Sequence, residues 1–586
     1  MRTDYQTALA RPPRRRRPVV AVALFLLVVA LLLALAAGIG WYWREYWPNS
    51  EHAVQDPSSL KQAIYYQGER KDLPASGSAE AIKLPLPLIK ELIDPAIAYD
   101  EASRSVIVTT QDKVIRLPSN QLSATVNEKP FALRFPVEKI GDTVYVPIEP
   151  LRDTYRVDIR ESAETGAVLL AREGDAIPWG VVKADKQHPQ RKAAMRTEPS
   201  IKATIAADLP QGEKVMIWED TGAWYRIQRT NGLMGYAKKT DVALDQIETI
   251  PKQETKPAFV PWKPLGGKIN LTWQQVVTKN PDTKQIPAMP GLNVISPQWF
   301  HLADGDGNLK NLADASFVKW AHEQGYQLWA LFSNGFDPKI TTDALSSYDK
   351  RMKMIKQLVS YVQMYQLQGI NIDFENVYLK DKTNVVQFVR ELTPFLHEAG
   401  VVVSIDVTVR DGSEVYSLFL DRRALGEVVD YMIVMTYDEH WSTSPTAGSV
   451  ASLPWVEKGI TAIMEKDDVP ASKLVLGVPY YTRIWTEQTK DGKTSVTSKA
   501  VGMEAVQNLL KEKKLTPVFD AATGQNYVEY KEGDKTMKIW IEDAVSMKSR
   551  TELVKKLRLA GIASWSRTFE TPDIWTLIKD TLEKLP

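Results

Sequence analysis

From residue 268 to the end of the chain, apolar runs of strand length alternate with amphipathic stretches of helix length. The runs are KINLTW (268–273), LNVISPQWF (292–300), YQLWALFSN (326–334), GINIDFE (369–375), VVVSIDVT (401–408), YMIVMTYD (431–438), LVLGVPYY (474–481) and GIASWSR (561–567). Stretches such as 345–366, 383–398 and 448–465 repeat their apolar residues at helical spacing. Strands separated by helices pair in parallel, because each helix carries the chain back to the same end of the sheet. Eight such units predict an α/β fold, a closed (β/α)8 TIM barrel over 265–586. The last gap, 482–560, is too long for one helix. Its segment PVFDAATGQNYVEYKEGDKTMKIWIED predicts a small α+β insertion in the barrel.

The first half of the 586 residues reads as several smaller pieces. No charge interrupts VVAVALFLLVVALLLALAAGIG, about 22 residues and long enough to cross a hydrocarbon core of roughly 30 Å. Trp41, Tyr42, Trp43 and Trp47 follow it like an interfacial belt, and Arg11 and Arg14 to Arg17 precede it. A single-pass transmembrane helix at 19–42 is expected, with an Arg-rich cytoplasmic tail (1–18) and all later domains extracellular. The rival reading is a cleaved signal peptide at LALAAG. A polar spacer (43–80) leads to a small α+β stalk domain with hairpins (81–175). An SH3-like β-barrel follows (176–246), with turns at Gln211-Gly212, Thr221-Gly222 and Asn231-Gly232, then a Pro/Lys-rich linker (247–264).

Chemistry in such a barrel sits at the C-terminal ends of the strands. Side chains alternate along a strand, so Asn371, Asp373 and Glu375 share one face of the fourth run, and Ile370, Ile372 and Phe374 the other. Carboxylates on the axial face of a barrel need a partner or a task. The sixth run brings Met435 and Tyr437 to one side with Asp438 at its tip. The seventh ends near Tyr481 and Arg483, and the eighth at Trp565. Trp299, at the end of the second, is a further candidate to line the cleft.

With GINIDFE on a fourth strand, MTYD on a sixth, LGVPYY on a seventh and a Trp ending the eighth, residues 265–586 resemble glycoside hydrolase family 18. Within that family they look most like the wall-lytic enzymes of spore-forming bacteria. The segment around LPLPLIKELIDPAIAYDEASRSVIVTT resembles the stalk domain named after the N-terminal domain of copper amine oxidases. GAWYRI and GLMGYAKKTDV resemble bacterial SH3 domains, which implies either a module that docks on the cell wall or peptides, or a spacer whose Trp224, Tyr225 and Tyr236 are largely core.

The family 18 resemblance implies that Glu375 protonates the glycosidic oxygen and that the substrate's own N-acetyl carbonyl attacks the anomeric carbon. Asp373 would hold the acetamide N–H, and Tyr437 its oxygen. Asn371, Met435, Asp438, Trp565, Tyr481, Arg483 and Trp299 would contact substrate. The family's fullest pattern carries acids where this chain has Gln368 and Asn371, and Asn371 is expected to donate a hydrogen bond to Asp373 instead. No metal or organic cofactor is implied. Nor does the stalk segment support copper, since it has neither histidine nor cysteine.

The whole chain lacks cysteine, which excludes disulfides and thiol catalysis, and its net charge of +1 gives no reason to expect nucleic acid. The expectation is a membrane-anchored, outward-facing glycosidase acting on peptidoglycan or chitin-type glycans. A non-hydrolytic glycan-binding scaffold on the same fold is the alternative.

Overall fold

The computed structural model describes residues 18–54, 57–184, 192–252, 259–264 and 267–583. The expected Arg-rich tail up to residue 17, and residues 253–258 of the expected linker, lie outside them. The chain divides into two compact units, residues 1–93 with 145–254 and residues 94–144 with 255–586.

In the first unit, helix α1 (Pro18–Tyr46) is uncharged until Arg44 and presents its apolar side chains almost wholly exposed. It is long and apolar enough to cross a membrane, and it runs four residues past the expected end, through the aromatic belt. Between Ala176 and Thr249, seven strands form one antiparallel sheet around Met195, Val215, Ile217, Ile227 and Ala237. Gly212, Gly222 and Gly232 each take a positive φ, as the expected tight turns require.

The second unit is built on eight strands: β1 (Ile269–Gln274), β2 (Val294–Leu302), β3 (Gln327–Ser333), β4 (Gly369–Asp373), β5 (Val402–Thr408), β6 (Tyr431–Met435), β7 (Leu474–Pro479) and β8 (Gly561–Trp565). Each pairs in parallel with the next, and β8 pairs with β1, so the barrel closes. Its lower interior is apolar, filled by Leu271, Trp273, Trp329, Leu331, Tyr431 and Ile433. Trp329 stacks on Tyr431 at 5.6 Å, and the Tyr431 hydroxyl donates to the carbonyl of Trp262 beneath (3.0 Å). A Cβ on Gly369 would lie 2.5 Å from the Trp329 ring, so the indole crosses the axis only because that position has no side chain. This aromatic floor leaves the polar residues of the strands only the upper end.

Outside the strands, helices α2 (Tyr348–Tyr365) and α3 (Lys382–Glu398) bury their apolar stripes, and Ser347 caps α2. The expected insertion is a five-stranded antiparallel sheet with a helix, Met503–Lys513, packed on it.

Residues 94–144, expected within a stalk domain, pack with the barrel. Five antiparallel strands between Ala98 and Ala132 form a meander whose Ile107 and Val114 join the core outside the barrel strands. Asp100 accepts from the Tyr348 amide (2.8 Å) and from Arg351 (3.2 Å), and Tyr348 donates to Glu128 (2.8 Å). Such a meander is stable only when its apolar face is covered, and the α2 side of the barrel covers it.

Candidate active site

The β4 alternation places its residues as the sequence implies. Ile370, Ile372 and Phe374 are buried against the outer helices. Asn371 and Asp373 are buried on the axial side, and Glu375 lies partly buried just past the strand tip. The Glu375 peptide is held on both edges by the buried Asn334: its Oδ1 accepts from the Glu375 amide (3.1 Å) and its Nδ2 donates to the Glu375 carbonyl (2.8 Å). A two-point clamp of this kind fixes the direction of the strand tip and so where the carboxyl points. Phe336, Asn376 and Asp438 hold left-handed backbone at the ends of β3, β4 and β6.

Asn371 is fully bonded, but not to Asp373 as expected. Its carbonyl oxygen accepts from Trp273 Nε1 (2.9 Å) and Ser296 Oγ (3.0 Å). Its amide donates to Ser404 Oγ (3.2 Å) and to Asp406 Oδ1 (2.8 Å) on β5. Four strands thereby meet at one amide. Asp373 has no bonded partner on its buried Oδ1. Gln368 sits at the lower end of β4, where its side-chain oxygen accepts from the Leu328 amide (3.0 Å), a role in strand closure.

The electrostatics follow from that wiring. Burial lifts Asp373 well above the usual carboxylate range, and the neighbouring charges of Glu375 and Asp406 push it further. Asp406 is raised well above that range too, mainly by burial, although the N–H groups of Asn371 and Trp273 oppose the shift. Glu375 is pushed up to about 7, by burial first and by the charge of Asp438 second. A carboxyl near 7 is protonated often enough to donate at neutral pH. Burial also raises Tyr437 well above its usual value, so it stays a hydroxyl donor.

The rim residues converge as well. Tyr481 donates to Asp438 Oδ1 (2.7 Å), Arg483 lies 3.6 Å from the same carboxylate, and the Tyr437 and Tyr481 rings meet edge-on at 6.3 Å. Met435 is partly buried at the end of β6, and Trp565 lies half-buried with its ring 5.7 Å from that of Trp273. Tyr481 and Arg483 belong to the first strand of the insertion (Tyr481–Lys490), which therefore forms one wall of the site.

Trp299 does not join it. It is wholly buried on the helix side, donating to Asn280 (2.6 Å) and packed on Phe317. The register of β2 shifts between Gln298 and Phe300, and at that bulge Trp299 and Phe300 both pack on the helix side with Ile295. Two residues were missed in the sequence. Asp406 lies in VVVSIDVT at the same parity as Ser404, and that alternation was its signal. Asn334 had none, because its partner is a backbone peptide.

Residues 306–570 match the family model described as glycosyl hydrolases family 18, residues 68–170 that of the copper amine oxidase N-terminal domain, and residues 192–243 that of the bacterial SH3 domain. The chain is similar to the uncharacterized glycosylase YvbX of Bacillus subtilis, 25% identical over 329 residues, 54% of this chain and 92% of that protein. It is 26% identical over 371 residues to the putative sporulation-specific glycosylase YdhD of the same organism, covering 61% and 87%. It is 24% identical over 254 residues to the cortical fragment-lytic enzyme of B. subtilis, covering 43% and 58%. The barrel is a family 18 glycosyl hydrolase domain, and the chain is a glycosidase.

Proposed function

We propose that this glycosidase cleaves N-acetylglucosamine linkages in peptidoglycan, by substrate-assisted catalysis with retention. The observation that carries the reading is Glu375. It is a partly buried carboxyl pushed up to about 7, at a clamped strand tip, with the buried Asp373 two residues behind it on the same face. In the first step Glu375 gives its proton to the glycosidic oxygen as the bond to the anomeric carbon breaks. The carbonyl oxygen of the substrate's acetamide bonds to that carbon, forming an oxazolinium ion. Asp373 accepts the acetamide N–H, and Tyr437 donates to the acetamide oxygen. In the second step Glu375 takes a proton from water as the water oxygen bonds to the anomeric carbon, and the bond from that carbon to the acetamide oxygen breaks, restoring the acetamide. Asp438, Tyr481, Arg483, Met435 and Trp565 line the substrate's place, and Asn371 acts beneath it.

The relatives named as a sporulation-specific glycosylase and a cortical fragment-lytic enzyme support a wall glycan over free chitin. Helix α1, with the arginines that precede it, supports a single-pass anchor with the N-terminus cytoplasmic and the barrel outside. The bacterial SH3 domain, with Tyr225 and Tyr236 part-exposed, is the candidate for wall docking. Protease added to intact protoplasts is expected to remove the barrel and spare α1; a protected barrel reverses the topology.

The enzymatic test uses the full-length chain in detergent and its Glu375→Gln variant, each incubated with purified peptidoglycan and with N-acetylglucosamine oligomers. New reducing ends, read by mass spectrometry, are expected from the wild type on peptidoglycan and not from the variant. Wild-type protein that binds both substrates and releases nothing is a glycan-binding scaffold instead.

A further inference from the structure

Asp406 lies outside every motif that marks this barrel, yet it is buried beside the reacting groups. β4 and β5 pair with Asn371 opposite Ser404 and Ile372 opposite Ile405, so the next inward pair up the barrel is Asp373 opposite Asp406. Neighbouring strands stand about 4.8 Å apart, which puts the two carboxyls within each other's reach. Asp406 is 2% exposed and Asp373 is 4% exposed. Asp406 Oδ1 is held by the Asn371 amide, and the buried oxygen of Asp373 has no partner.

The groups around Asp406 carry no positive charge to balance two anions. Asp373 and Glu375 face it from β4, Tyr437 from beyond the tip of β6, and the Trp273 indole from β1. Among the described residues, no lysine, arginine or histidine is ion-paired with Asp373, Asp406 or Glu375. Two carboxylates so placed cannot both ionise near neutral pH, and they titrate as a pair.

We propose that Asp406 is a positioning residue that shares one proton with Asp373, supplying from β5 the second acid that β4 lacks at Asn371. The inference rests on the glycosidase reading above. With no substrate, the proton lies between the two carboxyls. When the acetamide N–H arrives, the proton stays on Asp406 and Asp373 meets the N–H as the anion, so the buried pair carries one negative charge throughout. Asn371 serves the pair by orienting Asp406, which explains why an amide suits that position.

Two measurements on the full-length protein in detergent test this. The first is independent of activity. In the Glu375→Gln background, which removes that acid's own signal, infrared difference spectra at pH 7 are compared with and without Asp406→Asn. The expected result is a changed protonated-carboxyl band: a proton shared between two carboxyls gives a shifted, broad C=O band, whereas in Asp406→Asn a proton that burial keeps on Asp373 gives the sharp band of an isolated acid. Asparagine at 406 still accepts from the Asn371 amide, so the packing is kept. A protonated-carboxyl band that Asp406→Asn leaves unchanged overturns the proposal. The second measurement is the pH profile of kcat and KM for Asp406→Asn and for the swap Asn371→Asp/Asp406→Asn. The single variant is expected to lose one titrating step and tenfold or more in kcat, with KM within threefold. The swap should recover most of that loss. An unchanged profile in Asp406→Asn overturns the proposal. A wild type that hydrolyses nothing yet shows the shared proton overturns only the glycosidase reading.

Discussion

Buried carboxylates in this barrel unit come in two kinds, and the difference lies in what stands opposite them. Glu391 receives two bonds from Arg351, at 2.8 and 2.9 Å, and a third from Gln387. Glu542 receives both arms of Arg550. Burial still raises both acids, but a guanidinium opposes the rise in each case. Asp373 and Asp406 are lifted by burial and by neighbouring acids, and Glu375 by burial and Asp438, with no cation against any of them. The paired acids tie segments together: Arg351 joins α2, α3 and the meander through Asp100, and Arg550 ties the end of the insertion to the carbonyl of Ala451. The unpaired acids have no cation to balance them, so they keep a share of protons near neutrality. Fold and chemistry therefore use the same residue types with opposite partners.

The sharpest break of that comparison is Glu375→Gln. Its expected effect is a loss of about 10²–10⁴-fold in kcat, with the melting temperature held or raised, measured by release of reducing ends beside a thermal melt. A variant that loses activity only because it unfolds would put Glu375 in the first group.

The opposite exchange is Arg351→Met. It strands Glu391 and Asp100 as buried acids without a cation, and removing one partner of such a network costs about 3–5 kcal/mol. Denaturant unfolding should show that loss, while kcat of the folded fraction stays near the wild type, since Arg351 lies on α2 rather than at a strand tip. Trimming the chain to residues 255–586 removes Asp100 from Arg351 and uncovers the meander's side of the barrel.

The paired and unpaired groups also differ in how visible they were in the sequence. GINIDFE exposed its three polar residues because strict alternation in a buried strand makes any polar side chain conspicuous. The turn glycines 212, 222 and 232 were legible for a local reason as well, since a tight hairpin demands φ > 0. Asp406 was hidden inside a run read as apolar, although Ser404 and Asp406 share one parity. Trp299 stands at a strand end, which points to the cleft, but a bulge between Gln298 and Phe300 breaks the alternation and leaves it among the helices. The Asp100–Arg351–Glu391 network joins residues about 250 positions apart, and no local pattern announces such a contact. Residues 94–144 lie within the stalk-domain match at 68–170, and it is their packing on the barrel that no local pattern announces.

The smallest effect expected is on stability against pH, and it separates the two groups most directly. Glu375 has a usual value of 4.5 when unfolded and about 7 when folded, so the native state binds more protons between those limits. By linkage, stability is fullest below about 4.5 and is lost as pH rises through about 7. Glu375→Gln removes that loss. The variant should match the wild type near pH 4 and exceed it near pH 8, by on the order of 1–2 kcal/mol once the carboxyl's partial exposure is allowed for. Urea unfolding at the two pH values measures the gap. A gap that shrinks as pH rises would mean a cation holds Glu375 ionised in solution, and the contrast with Glu391 and Glu542 would disappear.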